Sequence, residues 1–281
     1  MKGQVIMIKF DSTKVVGFES AIRIMHNSRN SLEKSDSVKC YANDNCPGIC
    51  KDNASGICIG PKDLDLLTHI CYNGLHRSKI LQGITACVNI TAPLYWWRGF
   101  DNYKVGKVDY SSMIFMVPKI LDKEFTLYDF SCEHLMSFDN SNYWEEDCDN
   151  ACFIDPYKKG VVVPESLILN YIIPMLNVAR DKYNKESKKL KDVNLTEAER
   201  IRVKEQQKRF LWQIIQLLPS SYNVSHTIMI NYEVLANIYK SHNNYELDEW
   251  REFCNWICSL PYSELITRND KPIQCPDFLL R

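Results

Sequence analysis

The chain predicts an α+β fold, helices packed on a sheet, and three stretches carry that expectation. In TACVNITAP, Val88 and Ile90 alternate with Cys87 and Asn89, the period of a half-buried strand. Pro93 follows at a helix start, where its missing N–H costs nothing and its fixed φ helps. The opening MKGQVIMIKF offers Val5, Met7 and, less regularly, Ile8 and Phe10 as a first strand. Residues 157–259 read as mainly helical.

In chain order, residues 1–60 supply that strand, a helix centred on Glu19 to Met25, and a cysteine-rich loop insertion at 36–60. A second helix, the strand-to-helix junction and a strand-rich stretch through FTLYDF occupy 61–155. Within the junction, Leu94, Trp97 and Val105 fall near one helical face, with Arg98 beside them. Pro164 opens a segment whose Leu167, Leu169, Tyr171, Ile172 and Leu176 are apolar enough to be buried. It runs into the charged stretch ARDKYNKESKKLKDVN, read as a solvated helix end. Asn194 or Thr196 caps the next helix, with Glu197 and Glu199 favourable in its first turn. That helix continues through Phe210, Leu211 and Ile214 to a stop at Pro219. Ile228, Ile230, Val234, Leu235 and Ile238 then form the apolar face of a helix carrying Asn231 and Asn237. The whole is expected to be one domain, 1–281.

Composition narrows the function classes. The 281 residues are 45% hydrophobic and 25% charged, as in globular chains with a proper core. A net charge of −1 gives no global field for nucleic acid or acidic lipid, so neither partner is expected. No apolar run is long enough to span a membrane, and the opening residues do not read as a signal peptide, which points to the cytoplasm. Nucleotide-binding glycine loops, zinc-protease and nucleophile-elbow motifs are missing from the sequence.

Twelve cysteines in such a chain read as reduced thiols. Cys71, Cys87, Cys254 and Cys258 lie among apolar residues and read as core fillers. Cys40, Cys46, Cys50 and Cys58 sit in the polar loop with five, three and seven residues between them, unlike zinc knuckles. Cys132, His134, Cys148 and Cys152 form a second set. In both, unpaired thiols are the expectation and no metal is assigned; a zinc-stabilised interaction module is the alternative.

Two blocks resemble the flavin-dependent thymidylate synthases. In residues 91–115, Ala92-Pro93 ends a strand, Arg98 follows the proline by five residues, and Ser112 falls on the last serine of an RHRxxSxNExSxR loop. In residues 217–250, Leu218-Pro219, Asn231, Leu235, Asn237 and Trp250 match a Leu-Pro, an asparagine-rich helix and a following tryptophan. The resemblance implies a mostly antiparallel sheet and a homotetramer with sites at subunit interfaces. It implies FAD as cofactor, NADPH and methylenetetrahydrofolate as co-substrates, and one-carbon transfer to a pyrimidine nucleotide, dUMP to dTMP in the family. By position, His76, Lys104, Asn231 and Asn237 would hold the cofactor, while Arg98, Ser112 and His242 would hold the nucleotide. Trp96 and Trp97 could stack on a ring but read first as packing residues.

Several family arginines have no counterpart. The RHR triplet reads Asn102-Tyr103-Lys104, the Asn-Glu pair reads Asp109-Tyr110, and the remaining arginines fall on Ile114, Ile215 and His242. Each lost charge-assisted bond costs about 1.5–3 kcal/mol of binding. A protein that keeps the pocket without the reaction is therefore the second reading.

Overall fold

The computed structural model describes residues 8–27, 30–39, 56–73, 77–109, 120–135, 138–139, 161–162 and 167–267. In chain order these contain strand β1 (Lys9–Val16), helix α1 (Phe18–Asn27), short strands β2 (Val38–Lys39) and β3 (Ile57–Cys58), and helices α2 (Pro61–Asn73) and α3 (Arg77–Gln82). Then come β4 (Thr85–Pro93), α4 (Leu94–Phe100), β5 (Lys107–Asp109), β6 (Phe138–Asp139) and β7 (Val161–Val162). A π-helical turn, Ile168–Ile172, leads into α5 (Ile173–Lys189) and α6 (Glu197–Leu217). Strand β8 (Asn223–Asn231) and helices α7 (Tyr232–His242), α8 (Asp248–Ser259) and α9 (Glu264–Thr267) complete the set. The helix-plus-sheet class matches the expectation. Cys40, Cys46, Cys50, Cys148 and Cys152 lie outside the described residues, as do Ser112 and His76.

The chain forms two compact units, residues 1–5, 93–95 and 112–223 in one, and 6–92, 96–111 and 224–281 in the other. The second unit is built on a four-stranded sheet in the order β1-β4-β8-β5. β1 runs antiparallel to β4, with a register shift between Asp11 and Lys14, and β5 antiparallel to β8. Side-chain bonds join Thr91 to Ser225 and Asn89 to Thr227, advancing along β4 while retreating along β8. β4 buries Ala86, Val88, Ile90 and Ala92 on one face, as the alternation predicts.

β8 departs from the reading. Ile228 and Ile230 belong to this strand, not to the helix that holds Val234, Leu235 and Ile238. In NVSHTIMIN the buried Val224, Ile228 and Ile230 alternate with polar or part-exposed residues, and their β-branched side chains suit a pleated face. Asn231 then ends the strand and caps α7. Runs of period two and period 3.6 meet at that asparagine, and a single helical face fits both by accident.

An aromatic core fills the unit. Trp96 stacks on Phe100 at 4.9 Å and lies 5.1 Å from Trp250 and 5.4 Å from Phe253. Burying each ring contributes about 2–3 kcal/mol. Helix α1 is tied to α2 by a buried pair, His26 Nε2 to Asp63 Oδ1 at 2.7 Å. The hydroxyls of Ser35 and Ser37 donate to Asp63 Oδ2 at 2.6 and 2.5 Å, and the Asp36 carboxylate accepts the N–H groups of Lys62 and Asp63.

In the other unit, α5 and α6 pack along each other as a hairpin; Lys182 lies over the Phe210 ring and Gln207 donates to Ser187. Thr196 and Glu199 form the reciprocal cap at the start of α6, as expected. The segment opened by Pro164 differs: Leu167, Leu169 and Tyr171 are exposed, while Ile168, Ile173 and Leu176 are buried. Of the residues expected inside, Leu176 is buried and Ile172 half-buried. No helix among the described residues is long and apolar enough to cross a membrane.

Candidate functional site

The two resembling blocks, more than a hundred residues apart in the chain, meet through the described residues 91–109 of the first. β4 and β8 are neighbours in the sheet. Where β4 passes into α4, the first-turn N–H groups of Leu94 and Tyr95 donate to the carbonyls of Tyr222 and Ser220, just past Leu218-Pro219. Those donors would otherwise be orphans of a helix start. Trp97 Nε1 donates to both Ala92 O and Val224 O at 3.1 Å, fastening α4 over the paired strands. Trp96 and Trp97 are thus packing residues, buried as the sequence suggested.

α4 ends at Phe100, short of Val105, which is almost fully exposed. A loop of residues 101–106 follows and lies against α7. At one end, Gly106 takes φ +77°, and a Cβ there would stand 2.5 Å from Asn231 Nδ2. Asn231 N donates to Gly106 O at 3.1 Å, while its Oδ1 accepts from Val234 N at 2.9 Å. At the other end, the Tyr103 hydroxyl meets His242 Nδ1 at 3.2 Å. Lys107 closes the loop, its Nζ 3.2 Å from Asp101 and over the Phe100 ring at 4.3 Å. Asn231 and His242 therefore grip the two ends of the loop that carries Lys104.

Lys104 and Arg98 are exposed, and among the described residues no carboxylate pairs with either. They are free to meet phosphate oxygens. Asn237 lies on the exposed side of α7, as do Lys240 and Ser241. It is not the buried asparagine of an apolar helix; its backbone carbonyl accepts from Ser241 Oγ.

His242 lies flat on Trp250, centroids 3.9 Å apart. Burial lowers its pKa, against the opposing pull of the Ile238 carbonyl. Burial likewise raises the Tyr103 hydroxyl, with Ser241 pulling the other way. Where the resemblance places an arginine, the chain thus holds a half-buried imidazole biased to the neutral form. It can exchange a hydrogen bond but is a poor phosphate clamp at neutral pH.

One pairing went unforeseen in the sequence. His226 stacks on Trp97 at 4.1 Å, and its Nδ1 lies 3.1 Å from Asp109 Oδ2 across β8 and β5. The strand pairing of Asp109 with Ile228 creates it, and no local spacing encodes that register. Among the described residues no group of His, Cys, Asp or Glu could hold a metal ion.

No protein-family profile and no curated protein matches the chain. Among solved structures it is similar to two of the thymidylate synthase ThyX of Helicobacter pylori with FAD and dUMP, each at 13% identity and TM-score 0.49. These similarities cover 94% of this chain and 98% and 99% of theirs. A UMP/dUMP methylase, PolB of Streptomyces cacaoi, bound with 5-Br dUMP, is similar at 12% identity and TM-score 0.43, over 92% of this chain and 94% of its own.

Proposed function

We propose that this chain is a divergent flavin-dependent thymidylate synthase-like protein that binds FAD and a pyrimidine nucleotide and transfers a one-carbon unit to that nucleotide. The observation that carries the reading is the convergence of the two resembling blocks. Their strands are neighbours, and residues of the second block hold the loop that bears Lys104. The exposed, carboxylate-free Lys104 and Arg98 suit the phosphates of a dinucleotide and a nucleotide. Asn231 acts by positioning, since its side-chain oxygen is spent on the cap. His76 and Ser112 complete the set by resemblance, with Asn237 offering an amide to a ligand edge and His242 a ring nitrogen. Bound flavin supplies the redox chemistry, with NADPH as reductant and methylenetetrahydrofolate as carbon donor. The assembly is a homo-oligomer, a tetramer by resemblance.

The second reading, a binding protein without the reaction, is favoured by His242. A neutral, stacked imidazole replaces a permanent charge there. An absorption spectrum of the purified chain, before and after adding FAD and desalting, tests the binding step common to both. A retained, perturbed flavin band is expected, and Lys104→Ala weakens retention by about tenfold while leaving the melting temperature unchanged. Absence of any retained flavin in the wild type overturns the enzyme reading and leaves the second only as a binder of nucleotide. Product formation from dUMP then separates enzyme from binder.

A further inference from the structure

Nδ1 of His242 faces two groups at once, the Tyr103 hydroxyl at 3.2 Å and the Ile238 carbonyl at 3.3 Å. The carbonyl can only accept a hydrogen, whereas the hydroxyl can donate one. With the ring neutral and its hydrogen on Nε2, Nδ1 accepts from Tyr103 and ties the loop of residues 101–106 to the end of α7. A protonated ring carries a hydrogen on Nδ1 as well, and the Ile238 carbonyl is the better acceptor for it. The Tyr103 hydroxyl then loses the lone pair it donated to. Burial pushes that hydroxyl's pKa up, so it keeps its own hydrogen and has none to take from the ring by ionising.

The surroundings divide the same way. Trp250 of α8 stacks on the imidazole at 3.9 Å, and an aromatic face attracts the ring more strongly once it is a cation. Protonation therefore tightens the hold of α7 and α8 on His242 and removes the hold of the loop. The Tyr103 and Tyr245 rings lie 6.0 and 5.0 Å away and help to bury it. Burial is the leading cause that keeps the ring neutral, so by linkage a proton on the ring opposes that burial. Trp250 is part of a helix and Tyr103 part of a short loop, so the loop is what yields. The opposite end of the loop, Asn231 N to Gly106 O, has no proton to gain.

No charge competes for the ring. Of the titratable groups, Tyr103 meets it from the loop and Tyr245 from the turn after α7. The charged residues of the elements around it are Asp101 and Lys104 on the loop, Lys240 on α7, Glu246 on the turn, and Asp248, Glu249 and Arg251 on α8. Among the described residues none of these pairs with His242.

We infer that His242 and Tyr103 form a proton-operated latch: a neutral ring holds the loop that carries Lys104 against α7, and a proton on Nδ1 releases the Tyr103 end while Gly106 stays fixed at Asn231. The latch is complete without flavin and does not rest on the proposed activity.

Hydrogen exchange of the full chain without flavin tests it. The amides of Asn102 and Tyr103 donate to the carbonyls of Gly99 and Phe100 and report the loop, with the amides of α7 as reference. Corrected for the intrinsic effect of pH, loop protection in the wild type is expected to fall by at least about fivefold between about pH 7.5 and pH 5, with α7 unchanged. Tyr103→Phe, which removes the hydroxyl and keeps the ring, is expected to show the lower protection at both values. His242→Gln, which cannot titrate there, is expected to show no dependence on pH. Constant loop protection in the wild type, an equal fall in His242→Gln or an equal fall in α7 overturns the inference. Should a variant fail to fold, nitrogen NMR of the histidine rings in the wild type decides. Nδ1 of His242 is expected bare at the higher pH and protonated at the lower, with the loop amides moving at the same midpoint. A hydrogen on Nδ1 throughout, or loop amides that move at another midpoint, overturns it.

Discussion

The backbone N–H of Asn231 donates to the carbonyl of Gly106 at 3.1 Å, so a helix start and a loop end hold each other in place. Gly106 tolerates this closeness because it has no side chain and sits at φ +77°. Gly106→Ala is expected to destabilise the chain by about 1–3 kcal/mol through backbone strain and crowding against Asn231. Urea unfolding measures it, and a change near zero would show the loop free to move away from α7.

Removing the other partner separates capping from ligand contact. Asn231→Ala deletes the acceptor for Val234 N and should cost about 1 kcal/mol, whereas Asn231→Asp keeps an oxygen there and should cost much less. If Asn231 serves the flavin by holding the loop, the Asp variant retains flavin and the Ala variant loses part of it. Equal flavin loss in both would instead mean that the amide group itself touches the cofactor.

The local signals at this junction were legible, and the long-range ones were not. Val88 and Ile90 announced β4, Pro93 the start of α4, and Thr196 with Glu199 the start of α6. Each rests on neighbours within four residues. β8 was misread because Ile228, Ile230, Val234, Leu235 and Ile238 also satisfy a helical spacing, and only the turn at Asn231 divides them. The grip of Asn231 and His242 on residues 103–106 was hidden, because sequence shows that an asparagine or histidine is present and not what it reaches. Nor could it show that His242 is stacked and half-buried, which alters its charge and so its use in any site.

That burial has a measurable sign. The folded pKa of His242 lies below its ordinary 6.5, so the unfolded chain takes up a proton first as pH falls. The group's contribution to stability is whole above the unfolded value and is lost as pH drops through the folded one. His242→Gln loses the Trp250 stack, worth about 1 kcal/mol, but has nothing to titrate. Its deficit in melting temperature relative to wild type should narrow from about pH 8 to pH 5. Parallel curves over that range would show the imidazole already exposed to solvent.

Asp63 makes the opposite end of the pH scale informative. Burial pushes its carboxyl up, but hydrogen bonds from Ser35, Ser37 and His26 outweigh that and hold it below its ordinary 3.8. The ionised form therefore stabilises the fold above about pH 4, and that contribution fades as pH falls through the folded pKa. Asp63→Asn keeps the size but offers one oxygen where three donors converge, so one of them faces an amide N–H. Leaving a buried partner unsatisfied in this way should cost about 3 kcal/mol at neutral pH. Urea midpoints of the two proteins, compared from neutral pH into acid, should lie far apart at first and converge below about pH 4 as the wild-type carboxyl protonates. A gap that stays constant into acid would mean that shape, and not charge, holds α1 and α2 together at this point.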